Sequence, residues 1–299
     1  HNNIVNHFPD LFPKWKKLMT TQTHKRGLAG NPWYNHVPER WRGSALGISA
    51  AQSWNTWTGE RDGVTLIPML WGHMRTYKDG RTVNLWGEFM RTVPMSRADW
   101  IITFNEPADA GQANMTPETA AWIWTDLAHH YPQAKLTSPQ MLIGLDNADG
   151  FNFFNRARDW LTRWWQLLPD DVKPRLGAWA WHCYHSDATT MIEANGRWMT
   201  FVDGLAGGKE HWVTEWGVNR FAHPNDASAT SATSTIANYF DGHADRHFYF
   251  TNKVDAHSAD WSGYNLVGDD GKLTAVGRGW VGAEPDKRYR MFFPFMSKR

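Results

Sequence analysis

Short apolar runs rich in β-branched and aromatic residues recur along the chain. Longer stretches separate them, in which apolar residues return every three or four positions. Eight runs read as strands: Lys25–Gly30, Ala45–Ala50, Val64–Leu70, Trp100–Phe104, Lys135–Pro139, Arg175–His182, Glu210–Thr214 and His247–Thr251. Near-continuous apolar strands suit a parallel sheet covered on both faces. Eight of them separated by crossovers predict an α/β fold, a single (β/α)8 TIM barrel.

The helices between them carry their own signals. Thr116 is a capping residue, Pro117 suits the first helical position, and Glu118 meets the positive end of the helix dipole. Ala120, Ile123, Trp124, Leu127, Ala128 and Tyr131 then follow at helical spacing, and Pro132 stops the helix. Phe154, Leu161, Trp164, Trp165 and Leu168 predict a second amphipathic helix, and Thr189–Leu205 a third that ends at Gly207–Gly208. Ile236, Tyr239 and Phe240 predict a helix before the last strand. In the first half, only TWTGERDG separates the second and third strands, so the crossovers there are abbreviated. With no internal repeat or linker, residues 1–299 read as one catalytic domain, its core about 25–280 and its terminal extensions packed on it.

Composition narrows the partners. Thirty-one Lys and Arg balance 30 Asp and Glu. That balance offers no field to gather nucleic acid or an anionic membrane surface, and neither partner is expected. No apolar run is long enough for a membrane span. Cys183 stands alone, which excludes an intramolecular disulfide and a cysteine-rich zinc site. No cofactor or metal is expected. The chain opens at His1 without a recognisable leader. A monomer at a secreted or extracellular address is the expectation. Twenty Trp residues are the unusual count. Most belong to the core, but some suit flat platforms for the C–H faces of sugar rings.

Two glutamates carry the chemistry. Phe104-Asn105-Glu106-Pro107 ends the fourth strand, and Trp212-Val213-Thr214-Glu215-Trp216-Gly217 ends the seventh. In a barrel the C-terminal strand ends gather on one face, so the two carboxyl groups meet across one pocket. Glycosidic cleavage needs such a pair: an acid to protonate the leaving oxygen, and a carboxylate to attack the anomeric carbon or activate water. The acid must stay protonated, which apolar surroundings or its partner's charge would achieve. Glu118 and Glu193 lie on predicted helices and read as surface charges.

These motifs resemble the clan A glycoside hydrolases, and within them family 128, the "glycosyl hydrolase catalytic core" β-1,3-glucanases. The matching words run from Lys25 to Gly277. They are KRGLA, PMLWG at Pro68–Gly72, FNEP, QANMTPETAA, Ser138–Pro139, His182-x-Tyr184, WVTEWG and NLVGDDGKLTAVG. The resemblance implies a retaining double displacement on β-1,3-glucan, endo-acting, with Glu106 as acid/base and Glu215 as nucleophile. It implies that Asn105 binds the sugar 2-hydroxyl, that Tyr184 orients Glu215, and that His182 and Trp71 line the cleft. Trp54 and Trp57 from the AQSWNTW word, with Trp216, complete the expected substrate contacts. Three words depart from the family pattern. Thr251-Asn252 follows FYF where a Trp is usual, leaving Trp261 in the next loop as its substitute. AQSWNTW replaces a more aromatic word, and His185 replaces a glycine.

Other signals are weaker. His182 and His185 lack the HExxH pattern, and His129–His130 close a helix. Asp146–Gly150 lacks the closing Glu of a calcium loop, and it reads as a turn, as does Asp269-Asp270-Gly271. Two alternatives stay open: another clan A β-glycanase acting on β-1,4-glucan or mannan, and a catalytically weak barrel that binds glycan.

Overall fold

Ten strands form one sheet in the order β3-β4-β2-β1-β12-β11-β10-β9-β8-β5 in the computed structural model, which describes residues 25–77, 79–145, 152–254 and 256–282. The strands are β1 (Arg26–Ala29), β2 (Ala50–Gln52), β3 (Gly59–Arg61), β4 (Val64–Leu66), β5 (Met69–Leu70), β8 (Trp100–Asn105), β9 (Lys135–Leu145), β10 (Leu176–Tyr184), β11 (Glu210–Gly217) and β12 (Arg246–Phe250). Every pairing is parallel except the β3–β4 hairpin. A separate antiparallel hairpin pairs β6 (Met74–Thr76) with β7 (Thr82–Asn84). The helices are α1 (Leu85–Thr92), α2 (Pro117–His130), α3 (Asn152–Leu167), α4 (Ala188–Leu205), α5 (Asp226–His243) and α6 (Ala275–Val281).

The helical expectations are met. Thr116 accepts from the Thr119 N–H and Pro117 opens α2. Asp187 caps α4 through Thr190 N–H, and Asn225 caps α5 through Ser228 N–H. Glu118 pairs with Arg163 at 3.0 Å on the surface, and Glu193 pairs with Arg197 one turn away. The Asp269–Gly271 turn forms within Gly268–Lys272. Asp146–Gly150 and the terminal extensions lie outside the described residues.

β9 runs on to Leu145, past the expected end at Pro139, and the second and third strands depart furthest from expectation. The second starts at Ala50, because Ala45 and Leu46 belong to a short helical turn, Gly43–Leu46. The third is split by Ile67–Pro68, since proline has no N–H to give a ladder. The short crossover contains a β3–β4 hairpin that turns at Asp62-Gly63. Both residues take positive φ, 52° and 73°, as a tight two-residue turn requires.

The sheet separates two apolar layers. Helices cover one face, burying Trp124, Trp164, Trp179, Trp198 and Trp280 among others. A smaller cluster lies on the opposite face: Ala29, Ala50, Ile67, Met69, Ile102, Ala178, Trp212 and Phe248. It draws on strands near both ends of the ladder. Ile67 N–H donates to Ala51, and Pro68 C=O accepts from Ile102 N–H, so this two-residue link bonds to β2 on one side and β8 on the other. Trp100 stacks on Trp212 with ring centroids 4.3 Å apart at the N-terminal strand ends. A Cβ on Gly177 would lie 2.8 Å from Trp100, so that residue must stay small.

Candidate active site

Glu106 directly follows β8, Glu215 lies two residues before the end of β11, and both face one cavity of about 500 Å³. Its lining includes Trp54, Trp71, Arg75, Asn105, Asp109, Gln112, Tyr184, Phe250 and Trp261. The strand-end rule therefore holds: residues remote in sequence converge on one side of the sheet.

Glu215 is held from several directions. Tyr184 donates its O–H to Oε2 at 2.5 Å, and Trp54 donates Nε1–H to Oε1 at 2.7 Å. Gln52 Nε2 lies 3.3 Å from the same Oε1. Burial and the charges of Glu215 and Glu106 push Tyr184 well above the ordinary 10.0, so it remains a donor. Glu215 is 5% exposed, and the three donors fix the orientation of its carboxyl group.

Glu106 has different surroundings. Burial pushes its carboxyl above the ordinary 4.5, and the charges of Glu215 and Asp109 push the same way, against the contact with His182. A carboxyl group raised by burial and by neighbouring charge suits the acid role. His182 lies beneath both, fully buried. Its Nδ1 is 2.7 Å from Glu106 Oε1, and its Nε2 is 3.2 Å from Gln140 Oε1 and 3.6 Å from Glu215 Oε1. Burial alone would depress His182, but Glu215 and Glu106 outweigh it and the net displacement is upward. Glu106 and His182 therefore form one hydrogen-bonded pair whose titrations are linked.

Ligand atoms of Glu106, His182 and Glu215 also lie within 4.8 Å of one another. A tetrahedral zinc site needs edges of about 3.4 Å, and both imidazole nitrogens already face protein partners. The arrangement fits acid–base work better than metal ligation.

The family model described as "Glycosyl hydrolase catalytic core" matches residues 27–280. The chain belongs to this family and is a glycoside hydrolase. Solved structures similar to it include a family 128, subgroup II endo-β-1,3-glucanase from Sorangium cellulosum. It is 19% identical with a TM-score of 0.61, covering 88% of this chain and 99% of that one. A subgroup III curdlan-specific exo-β-1,3-glucanase from Blastomyces gilchristii is 21% identical with a TM-score of 0.61, covering 87% and 98%. A subgroup I endo-β-1,3-glucanase from Amycolatopsis mediterranei, in complex with laminaritriose, is 20% identical with a TM-score of 0.58, covering 87% and 99%. No curated protein matches. The family resemblance carried by FNEP and WVTEWG is borne out.

The structure of this glycoside hydrolase brings together most of the expected residues. Asn105, Trp54, Trp71 and Tyr184 line the cavity, as does Trp261, the expected substitute from the loop after β12. Asn105 donates Nδ2–H to Gln112 at 2.9 Å and keeps a buried Oδ1 without a protein partner. Three expectations are corrected. His182 lies under the carboxyl groups rather than on the cleft wall. Trp216 is buried on the helix-facing side, with Phe240, Tyr249 and Trp280 around it, because strand neighbours alternate faces and Glu215 takes the cavity face. Trp57 is 45% exposed in the loop after β2 and is not part of the cavity lining. Sequence reasoning missed Gln52, Gln112 and Gln140. A glutamine carries no spacing signal, although Gln52 does lie in the strand-two word and Gln140 directly follows Ser138–Pro139.

Proposed function

We propose that the chain is a retaining endo-β-1,3-glucanase. The carrying observation is the Glu106–Glu215 pair, whose nearest ligand oxygens lie within 4.8 Å across the cavity. Retaining pairs are separated by about 5–5.5 Å, whereas inverting pairs leave about 6.5–9.5 Å for water. Glu215, fixed by Tyr184 and Trp54, attacks the anomeric carbon while Glu106 gives its proton to the glycosidic oxygen. Glu106 then takes a proton from the water that releases the sugar from Glu215. Asn105 Oδ1 is free to accept a sugar hydroxyl. Tyr184, Trp54 and Trp261 supply apolar walls.

The linkage rests on the family 128 relatives, and endo action accords with the exposed rim formed by Arg75 and Trp261. We read the sheet as closing into an eight-stave barrel through the Ile67–Pro68 link, within one catalytic domain of a secreted monomer. The inner cluster drawn from both ends of the ladder supports closure. Hydrolysis of laminarin with the β anomer released first is expected, together with loss of turnover in Glu215→Gln. An α anomer formed first, or undiminished turnover in that variant, refutes the reading.

A further inference from the structure

Arg75 is the cationic side chain among the cavity-lining residues, which include three carboxylates, Glu106, Asp109 and Glu215. It pairs with none of them. Among the described residues its contacts are aromatic: its Cζ lies 4.6 Å from the Trp71 ring centroid and 5.2 Å from that of Tyr77. Arg81, on the other strand side of the hairpin, lies 4.6 Å from the same Tyr77 ring. Aromatic and guanidinium groups thus alternate as Trp71, Arg75, Tyr77 and Arg81, from the cavity wall out along the β6–β7 hairpin.

Stacking fixes a guanidinium by its faces and leaves its five N–H donors at the edges. The stem is therefore ordered while the donors stay unspent. An arginine meant as a counter-ion would turn to the nearby carboxylates; this one is held away from them. Stacking also covers one face of Trp71, so that ring offers at most its other face to a sugar. Trp71 C=O accepts from Asn105 N–H at 2.8 Å, which ties the inner end of the ladder to the Glu106 side of the site. The outer end is exposed, and Thr76 and Thr82 hydroxyls pair across the hairpin at 2.9 Å.

We propose that the β6–β7 hairpin is a saccharide-binding arm, on which Arg75, pinned by Trp71 and Tyr77, donates hydrogen bonds to hydroxyls of a neutral glucan chain running out of the cavity. A net anionic chain is disfavoured by the three carboxylates beside it. This deepens the glucanase reading and rests on it for the identity of the chain, but its test separates the two.

The test uses the full chain in a Glu215→Gln background, with calorimetric titration of laminaribiose and laminarihexaose. Arg75→Ala is expected to weaken laminarihexaose binding about tenfold or more, the effect of losing a charge-assisted hydrogen bond, and to leave laminaribiose unchanged. Arg75→Lys should recover only part, because a point charge does not reproduce the flat fork. Tyr77→Ala should follow Arg75→Ala. In otherwise wild-type enzyme the same variants should raise KM for long substrates and leave kcat in place. Equal losses for short and long chains, or full recovery in Arg75→Lys, overturn the arm. Chain-length-dependent binding in a wild-type protein that hydrolyses no β-1,3-glucan supports the arm and overturns the glucanase reading.

Discussion

Replacing Asp241 by asparagine should cost the native state about 3 kcal/mol at neutral pH, and less in acid. Asp241, on α5, receives Arg26 Nη2–H from β1 at 2.5 Å and lies 2.9 Å from His247 Nε2 on β12. Its side chain is 5% exposed, against 12% for Arg26 and 0% for His247. Burial alone would raise its carboxyl, but the hydrogen bonds and charges of His247 and Arg26 outweigh burial and hold it at about 2, from an ordinary 3.8. That displacement corresponds to about 2 kcal/mol. The variant also leaves Arg26 buried without its anion, a loss of about 3–5 kcal/mol. Arg26 retains the Trp280 carbonyl at 2.8 Å and the Trp280 ring, which favours the low end of that range. A native carboxyl held below its unfolded value contributes stability above the unfolded value and loses it as pH falls through the native one. The wild-type advantage should therefore shrink by about 1 kcal/mol between pH 7 and pH 3. Urea unfolding followed by tryptophan fluorescence at the two pH values measures both quantities. A difference under about 1 kcal/mol at pH 7, or one that is the same at both pH values, would refute the argument.

Glu106→Gln should lower turnover of laminarin by about 10²–10⁴, because a poor leaving group needs its proton. Aryl glucosides with acidic leaving groups should lose much less in the first step, and equal losses would remove Glu106 from the acid role. Asp109→Asn removes one of the charges that hold Glu106 up. Since the protonated acid is the active form and activity falls as pH rises through its value, the alkaline limb of kcat/KM should move to lower pH. A limb that stays in place or moves upward would count against that electrostatic coupling.

The legible parts of this fold are those set by short-range physics. Thr116-Pro117 starts α2 because a side-chain acceptor and a residue without an N–H both suit a helix start. Glu215 was legible because it lies near the end of the apolar run that forms β11. Other features depend on partners that no local pattern names. Ala45–Ala50 is apolar enough for a strand, yet Gly47, at φ 71°, ends a helical turn there and delays β2 to Ala50. His182 looked like a cleft residue because strand ends bear functional groups. Its burial follows from Glu106 just after β8, Gln140 on β9 and Glu215 on β11, and from a pairing of His182 with Glu215 that follows an extra residue, Thr214, in β11. The Trp71–Arg75 stack likewise needs a hairpin that curls back to the cavity, which spacing alone does not specify.

The end of β8 departs from regular strand geometry, and that departure creates the acid's position. Alternation would send Asn105 and Glu106 to opposite faces, yet both line the cavity. Phe104 and Glu106 adopt positive φ, 44° and 43°, which non-glycine residues occupy at a cost of about 1–3 kcal/mol each. The ladder to β9 shifts register on both sides of Thr103. Three contacts hold the kinked end in place: Asn105 N–H to Trp71 C=O, Glu106 N–H to Gln140 C=O, and Ala113 N–H to Asn105 C=O. The same Gln140 faces His182 through its side chain, so one residue fixes the backbone of the acid and the imidazole beneath it. Glu215 also follows a break in its strand: β11 carries one extra residue against both neighbours, since Val213 pairs with Trp181 and His247 while Glu215 pairs with His182 and Trp216 with Tyr249. The two carboxyl groups therefore reach one cavity by different irregularities: the nucleophile candidate by an extra residue at Thr214 in β11, and the acid candidate by a positive-φ turn supported from the end of β5, from β9 and from the loop after β8.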